Sequence, residues 1–231
     1  KFSSEYADVA GYSFNYHKHI STGEGGAIVT SDRKIARKLQ LIRNHGEIVV
    51  EEKEKHNHHI LGFNFRLGEL EAAIGIEQLK KLKKIVREKQ GLANYLNKYL
   101  TKFKGIITPM TMKHYTHSYY VYGMRLDRNK IKTTKKTIDN FLKSNQLPIA
   151  TRYQSLYKAN ILRNRKFLSR IFKTKKDTDR YIKKNNPVNF KNNEDLNNYE
   201  YLGIGLCDYN FKKNDLKKIF DKLYQFWKDL D

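Results

Sequence analysis

The chain has 231 residues, 13% of them aromatic, with one cysteine and a formal charge of +22. That length predicts one to two domains able to bury a core without disulfide staples, the aromatic content excludes a disordered chain, and a lone Cys207 excludes an intrachain disulfide framework and points to a reducing, cytoplasmic setting. The charge rests on 34 Lys against only 12 Arg, scattered in pairs such as Lys80-Lys81 and Lys183-Lys184, a distribution that argues against a nucleic-acid partner and for a general attraction to anionic substrates.

The N-terminus, Lys1 to Glu5, has no initiator Met and no apolar signal core, so the chain reads as the interior of a longer protein. Gly25 to Thr30 predicts a short buried strand bounded by glycines. Ser31-Asp32 offers an N-cap for a basic amphipathic helix over Arg33 to Arg43, which Asn44-His45-Gly46 stops. Glu47 to His59 reads as a charged loop. Its His56, His58 and His59 have no Cys or acidic ligand at firm spacing, so no metal is expected. Two helical stretches follow: Leu67 to Gln78, with apolar Leu67, Leu70, Ala73, Ile74 and as a further candidate Ala72, and Leu79 to Leu100, with Leu82, Ile85, Val86, Leu92 and Leu96 inward. Gly105 to Thr108 and Ser118 to Leu126 alternate as strands do, Thr134 to Asn145 as a helix, and Leu147 to Tyr153 as another strand. The polar stretch Ser155 to Asn189 gives no clear period. Tyr201 to Leu206 predicts a short strand, and a last amphipathic helix begins near Asn210 with Leu216, Ile219, Phe220, Leu223 and Phe226 inward. Strands alternating with helices imply an α/β fold. No apolar run approaches the roughly 20 residues of a membrane span, so no membrane partner is expected.

The densest pattern is Gly11 to Thr30. Lys18 lies between Ser13-Phe14 and the turn Gly23-Glu24-Gly25-Gly26. A lysine that does covalent chemistry must lose its proton near neutral pH, which needs partial desolvation or a nearby positive charge. Phe14, Tyr16, His17 and His19 can supply an apolar wall, and the glycines let backbone approach a bound group. Spacing alone leaves the plainer alternative open, a surface lysine in a loop before a strand. The glycine turn lacks the Lys-Ser/Thr ending of a nucleotide P-loop.

Three patterns in order make a more specific match. Ser13-Phe14, three residues, Lys18, a hydroxyl-rich step and Gly23-Glu24-Gly25-Gly26 form the first. Arg43-Asn44-His45-Gly46 is the second. Gly62-Phe63-Asn64-Phe65-Arg66, leading into the helix from Glu69, is the third. On these the sequence resembles the DegT/DnrJ/EryC1/StrS family of sugar aminotransferases that use pyridoxal phosphate. The resemblance is strong over residues 8–90. Beyond 102 it rests on Tyr119-Tyr120-Val121-Tyr122 and the step from Cys207 to Lys212.

The resemblance implies a fold-type I aminotransferase that lacks the N-terminal part of its large domain. Residues 1–100 would be the C-terminal part of that cofactor-binding domain with its linking helix, and 101–231 a smaller α/β domain. It implies that Lys18 is the Schiff-base lysine, that Ser13 binds the cofactor phosphate, and that Asn64 reaches the same phosphate from the partner subunit of a homodimer. It implies amino transfer, with glutamate as donor, to a keto group of a nucleotide-linked sugar for surface polysaccharide or glycan synthesis. Arg66 and His117 are the candidate substrate contacts. Residue by residue, alternatives stand beside these roles. Ser13 can be a turn hydroxyl, Asn64 a helix cap, Arg66 a salt-bridge anchor, His117 a strand-start residue, and Cys207 a buried apolar side chain. The chain departs from the family at Gly205-Leu206-Cys207-Asp208-Tyr209, where Leu-Pro-Leu-x-Pro is usual. Alternative functions are a sugar dehydratase of the same family, in which His replaces the lysine, and a non-catalytic remnant that kept only this part.

Overall fold

The computed structural model describes residues 3–47 and 60–230. The chain divides into two compact units, Lys1–Arg87 and Glu88–Asp231. The division falls inside the long helix, ahead of the expected boundary at residue 100.

In the first unit, β1 (Ala10–Ser13) and β2 (Gly26–Val29) form a two-stranded antiparallel ribbon in which Ser13 pairs with Gly26 and Ala10 with Val29. The helix α1 (Arg33–Arg43) follows. The Asp32 carboxylate caps it, accepting from the Lys34 and Ile35 amides at 2.7 and 3.1 Å, two of the donors a helix start leaves unpaired. The strand β2 was expected to be buried, yet Ile28 and Val29 are exposed. Only β1 pairs with it among the described residues, so one layer of backbone cannot enclose those side chains.

At the end of α1 the chain turns through His45 and Gly46, both at positive φ, 56° and 83°. A Cβ on Gly46 would collide with the Ile60 carbonyl, so only glycine lets these two segments touch. A strap from Ile60 to Arg66 then runs along the helix end. The Phe63 amide donates to Ile42 O at 2.8 Å, the His45 amide to Phe63 O at 3.0 Å and the Phe65 amide to Arg43 O at 2.9 Å.

The two helical stretches expected over 67–100 are one helix, α2 (Glu69–Tyr99), with no break at Gln78-Leu79. In its first half Leu70 and Ile74, expected inward, are exposed, as are Ile76 and Leu79, while Leu92, Ala93 and Leu96 in its second half are buried.

The second unit holds the core. A three-stranded antiparallel sheet runs β3 (Ile106–Ile107), β4 (Val121–Leu126), β5 (Tyr201–Gly205). Tyr122 and Met124 pair with Ile204 and Leu202, and all four are fully buried. They pack with the end of α2, with Ile138 and Leu142 of α3 (Lys135–Ser144), and with residues of the last helix. The polar stretch after 155 folds as short helices: α4 (Arg165–Ile171), α5 (Lys175–Lys184) and α6 (Lys191–Asp195), the last running into a π-helical turn over Leu196–Glu200. The last helix, α7 (Lys213–Lys228), buries Leu216, Phe220, Leu223 and Trp227, and the Trp227 indole donates to Lys104 O at 2.9 Å.

Two expected strands change. Ser118 to Tyr120 stays outside β4, because Tyr119 sits at φ 55°, a left-handed conformation no strand contains. Leu147 to Tyr153 is no strand. Only Ala150 bridges Gly203, through two backbone bonds of 2.7 and 2.8 Å, and Pro148 brings no N–H to extend the ladder.

Candidate active site

Lys18 lies in the turn between β1 and β2. The turn is closed by backbone bonds from both sides. The Phe14 amide donates to Gly25 O at 2.9 Å, the Thr22 amide to Phe14 O at 3.0 Å, and the Lys18 amide to Asn15 O at 3.0 Å. Thr22, buried, turns its hydroxyl to Glu24 O at 2.6 Å. Gly25 takes φ 149°, and a Cβ there would sit 2.8 Å from Thr22 Oγ1 and 3.0 Å from Leu67 Cδ1. The glycines thus let the two arms of the turn close on each other.

Ser13 is the last residue of β1, and its Oγ accepts from the Asn15 amide at 3.3 Å. It lines an open groove of about 1040 Å³ between the ribbon and α1, together with Gly25, Gly26, Leu39, Arg43 and Phe65. Lys18 and Asn64 do not line that groove. Under the turn is a smaller cavity of about 250 Å³, lined by Phe14, Ile20, Thr22, Leu67, Gly75 and Leu79 among others. The apolar wall expected around Lys18 is therefore partial. Phe14 faces this cavity, while Tyr16 is exposed and meets His17 edge-on at 4.8 Å.

Asn64 and Arg66 sit on the strap. Asn64 bridges Asn44, and its Oδ1 accepts from the Arg66 amide at 3.4 Å. It does not cap α2, which starts at Glu69. The Arg66 guanidinium donates to Oδ1 of the buried Asn44 at 2.8 Å, tying the strap to the end of α1. Asn44 is thus a second anchor, legible in sequence only as part of a helix stop. His117 belongs to the second unit. Its ring stacks on Tyr119 at 4.1 Å, its Nδ1 accepts the Tyr119 amide at 2.8 Å, and its carbonyl accepts from Gln90 Nε2 at 3.1 Å. These contacts hold Tyr119 in its unusual backbone conformation. Cys207 is half-buried just after β5. His56, His58 and His59 lie outside the described residues, and no group of metal-binding side chains occurs among those described.

The donor set suits pyridoxal phosphate. Lys18 offers a primary amine, Ser13 a hydroxyl beside open space, and Asn64 a carboxamide whose Nδ2 end is the donor. These are the groups an aldehyde and a phosphate need. One buried polar atom of the turn, Asn15 Oδ1, has no hydrogen-bond partner among the described residues.

Comparison with known proteins adds to this. The model of the DegT/DnrJ/EryC1/StrS aminotransferase family matches residues 1–184. The UDP-4-amino-4,6-dideoxy-N-acetyl-beta-L-altrosamine transaminase of Campylobacter jejuni is 38% identical over 96 residues, 42% of this chain and 25% of that protein. Among solved structures, Helicobacter pylori PseC, an aminotransferase involved in the biosynthesis of pseudoaminic acid, superposes with a TM-score of 0.74 at 22% identity, over 96% of this chain and 54% of that one. The E. coli GDP-4-keto-6-deoxy-D-mannose-3-dehydratase, solved with bound hydrated pyridoxal phosphate, gives a TM-score of 0.68 at 20% identity, over 96% and 56%. The fold is that of these enzymes, and the chain spans about half the length of the solved ones. No helix among the described residues is long and apolar enough to cross a membrane.

Proposed function

The chain belongs to the DegT/DnrJ/EryC1/StrS aminotransferase family, and from that premise we propose that the full-length protein uses pyridoxal phosphate to move an amino group, from glutamate, to a keto group of a nucleotide-linked sugar. Surface polysaccharide or glycan synthesis would use the product. The observation that carries this reading is Lys18 on a turn closed by Gly23-Glu24-Gly25-Gly26 between paired strands, with the Ser13 hydroxyl at the strand end.

Bound pyridoxal phosphate supplies an electron sink for the carbon that gives up a proton. The chain's own residues do the rest. Lys18 Nζ would hold the cofactor, and as a free amine the same nitrogen would take that proton as base and return it as acid. Ser13 Oγ and, from the partner subunit, Asn64 Nδ2 would donate to the phosphate, which would make each site shared within a homodimer. Arg66 and His117, each in its own unit, are separate candidate contacts for a sugar nucleotide. The first unit would belong to the cofactor-binding domain, and the second would be the smaller domain. Lysine rather than histidine at position 18 favours transfer over dehydration.

The test is an amino-transfer assay of the full-length protein with glutamate and a panel of keto-sugar nucleotides. Release of 2-oxoglutarate matched by amino-sugar nucleotide is the expected result. Lys18→Ala should lower the rate by about a thousandfold or more, since covalent and proton-transfer roles vanish together. A Lys18→Ala protein with near-normal turnover would overturn the reading.

A further inference from the structure

Asn15 stands between Ser13-Phe14 and Lys18, and the sequence gives it no role. In the fold it touches each part of the motif. Its amide donates to Ser13 Oγ at 3.3 Å, its carbonyl accepts the Lys18 amide at 3.0 Å, and its Nδ2 donates to Glu24 Oε1 at 2.7 Å. Asn15 also bridges Gly23 in parallel register.

The stretch around Glu24 has little stiffness of its own. Gly23 and Gly25 flank it at φ 87° and 149°, and glycine gives up more conformational freedom on ordering than any other residue. Thr22 Oγ1 pins the Glu24 carbonyl at 2.6 Å. The Asn15–Glu24 bond pins the Glu24 side chain, and it is charge-assisted, the stronger kind. It also fixes which way the carboxamide points. Turned over, the Asn15 oxygen would face the Glu24 carboxylate. Held as it is, Oδ1 is buried without a partner among the described residues. A buried unpaired acceptor costs stability, so Asn15 is a poor choice for packing alone.

We infer that Asn15 and Glu24 are positioning residues for Lys18: their hydrogen bond locks the turn on which the lysine amine is presented to the cofactor. This rests on the reading of Lys18 as the cofactor lysine. It reaches Lys18 through the Asn15 carbonyl, which holds the Lys18 backbone.

The experiment is a spectral pH titration of the cofactor band in the full-length, cofactor-loaded protein. Asn15→Ala removes the bond and the orphan oxygen together. It should shift the titration midpoint by about half a pH unit or more while leaving the melting temperature near that of the parent. Asn15→Asp sets carboxylate against carboxylate and should shift the midpoint further. Glu24→Gln keeps an acceptor and should titrate like the parent. The double variant Asn15→Asp/Glu24→Gln re-forms the bond with donor and acceptor exchanged, and should recover the parent midpoint. If the parent shows no cofactor band that borohydride fixes on Lys18, the functional reading itself has failed. If the parent band is normal but Asn15→Ala titrates unchanged, or the double variant stays with Asn15→Asp, the positioning role is overturned.

Discussion

Lys135, the first residue of α3, donates to the Asn197 carbonyl within the π-helical turn. Loss of hydration, and then the neighbouring Arg152, push its pKa down to about 8. Unfolded, the same lysine titrates near 10.5. Between these values the unfolded chain binds more protons than the folded one, so stability rises with pH across that window. Lys135→Met should show a smaller stability gain between pH 8 and 10 than the parent in urea denaturation. Equal gains would place the coupling elsewhere. The contrast with Lys18 shows what a sequence reveals about single residues. Lys18 stood out because a dense local pattern surrounds it. Lys135, Asn44 and Asn15 carry no such mark, since each owes its surroundings to partners 62, 22 and 9 residues away.

Elements were legible where their ends are written locally. Asp32 before α1, Thr134 before α3 and Asn145 after it mark those helices to the residue. Strands were less so, because pairing depends on a distant neighbour. Leu147 to Tyr153 alternates well but meets β5 only at Ala150, and β1 escaped notice because Ala10-Gly11-Tyr12-Ser13 has no alternation. The break expected inside α2 reflected a change of apolar face, from exposed Leu70 and Ile74 to buried Leu92 and Leu96, rather than a change of backbone. The last helix, α7, sets four buried side chains into the core of the second unit. Phe220 is fully buried and meets Phe103 edge-on at 6.4 Å. Phe220→Ala should cost about 3–5 kcal/mol in chemical denaturation, and a loss under about 1 kcal/mol would mean the site collapses around the cavity.

For the whole molecule, the fold class was legible and the partition of burial was not. The core clusters within the second unit, whereas the first carries exposed Phe63, Phe65, Leu70 and Ile74 along the strap and the start of α2. Under the proposed reading, Asn64 would serve the neighbouring subunit's cofactor in a homodimer. Asn64→Asp sets a carboxylate against that phosphate. Full-length Lys18→Ala and full-length Asn64→Asp, each inactive alone, should regain activity when mixed. In the mixed dimer one site carries both defects and the other carries neither. No recovery, with subunit exchange confirmed, would mean that Asn64 acts within its own chain or not on the cofactor.

Peptide mapping after borohydride reduction tests most directly whether Lys18 holds pyridoxal phosphate. The full-length protein loaded with the cofactor should lose its visible band on reduction and carry the pyridoxyl mass on the peptide containing Lys18. The mass on any other lysine, or no reducible band at all, would contradict the account.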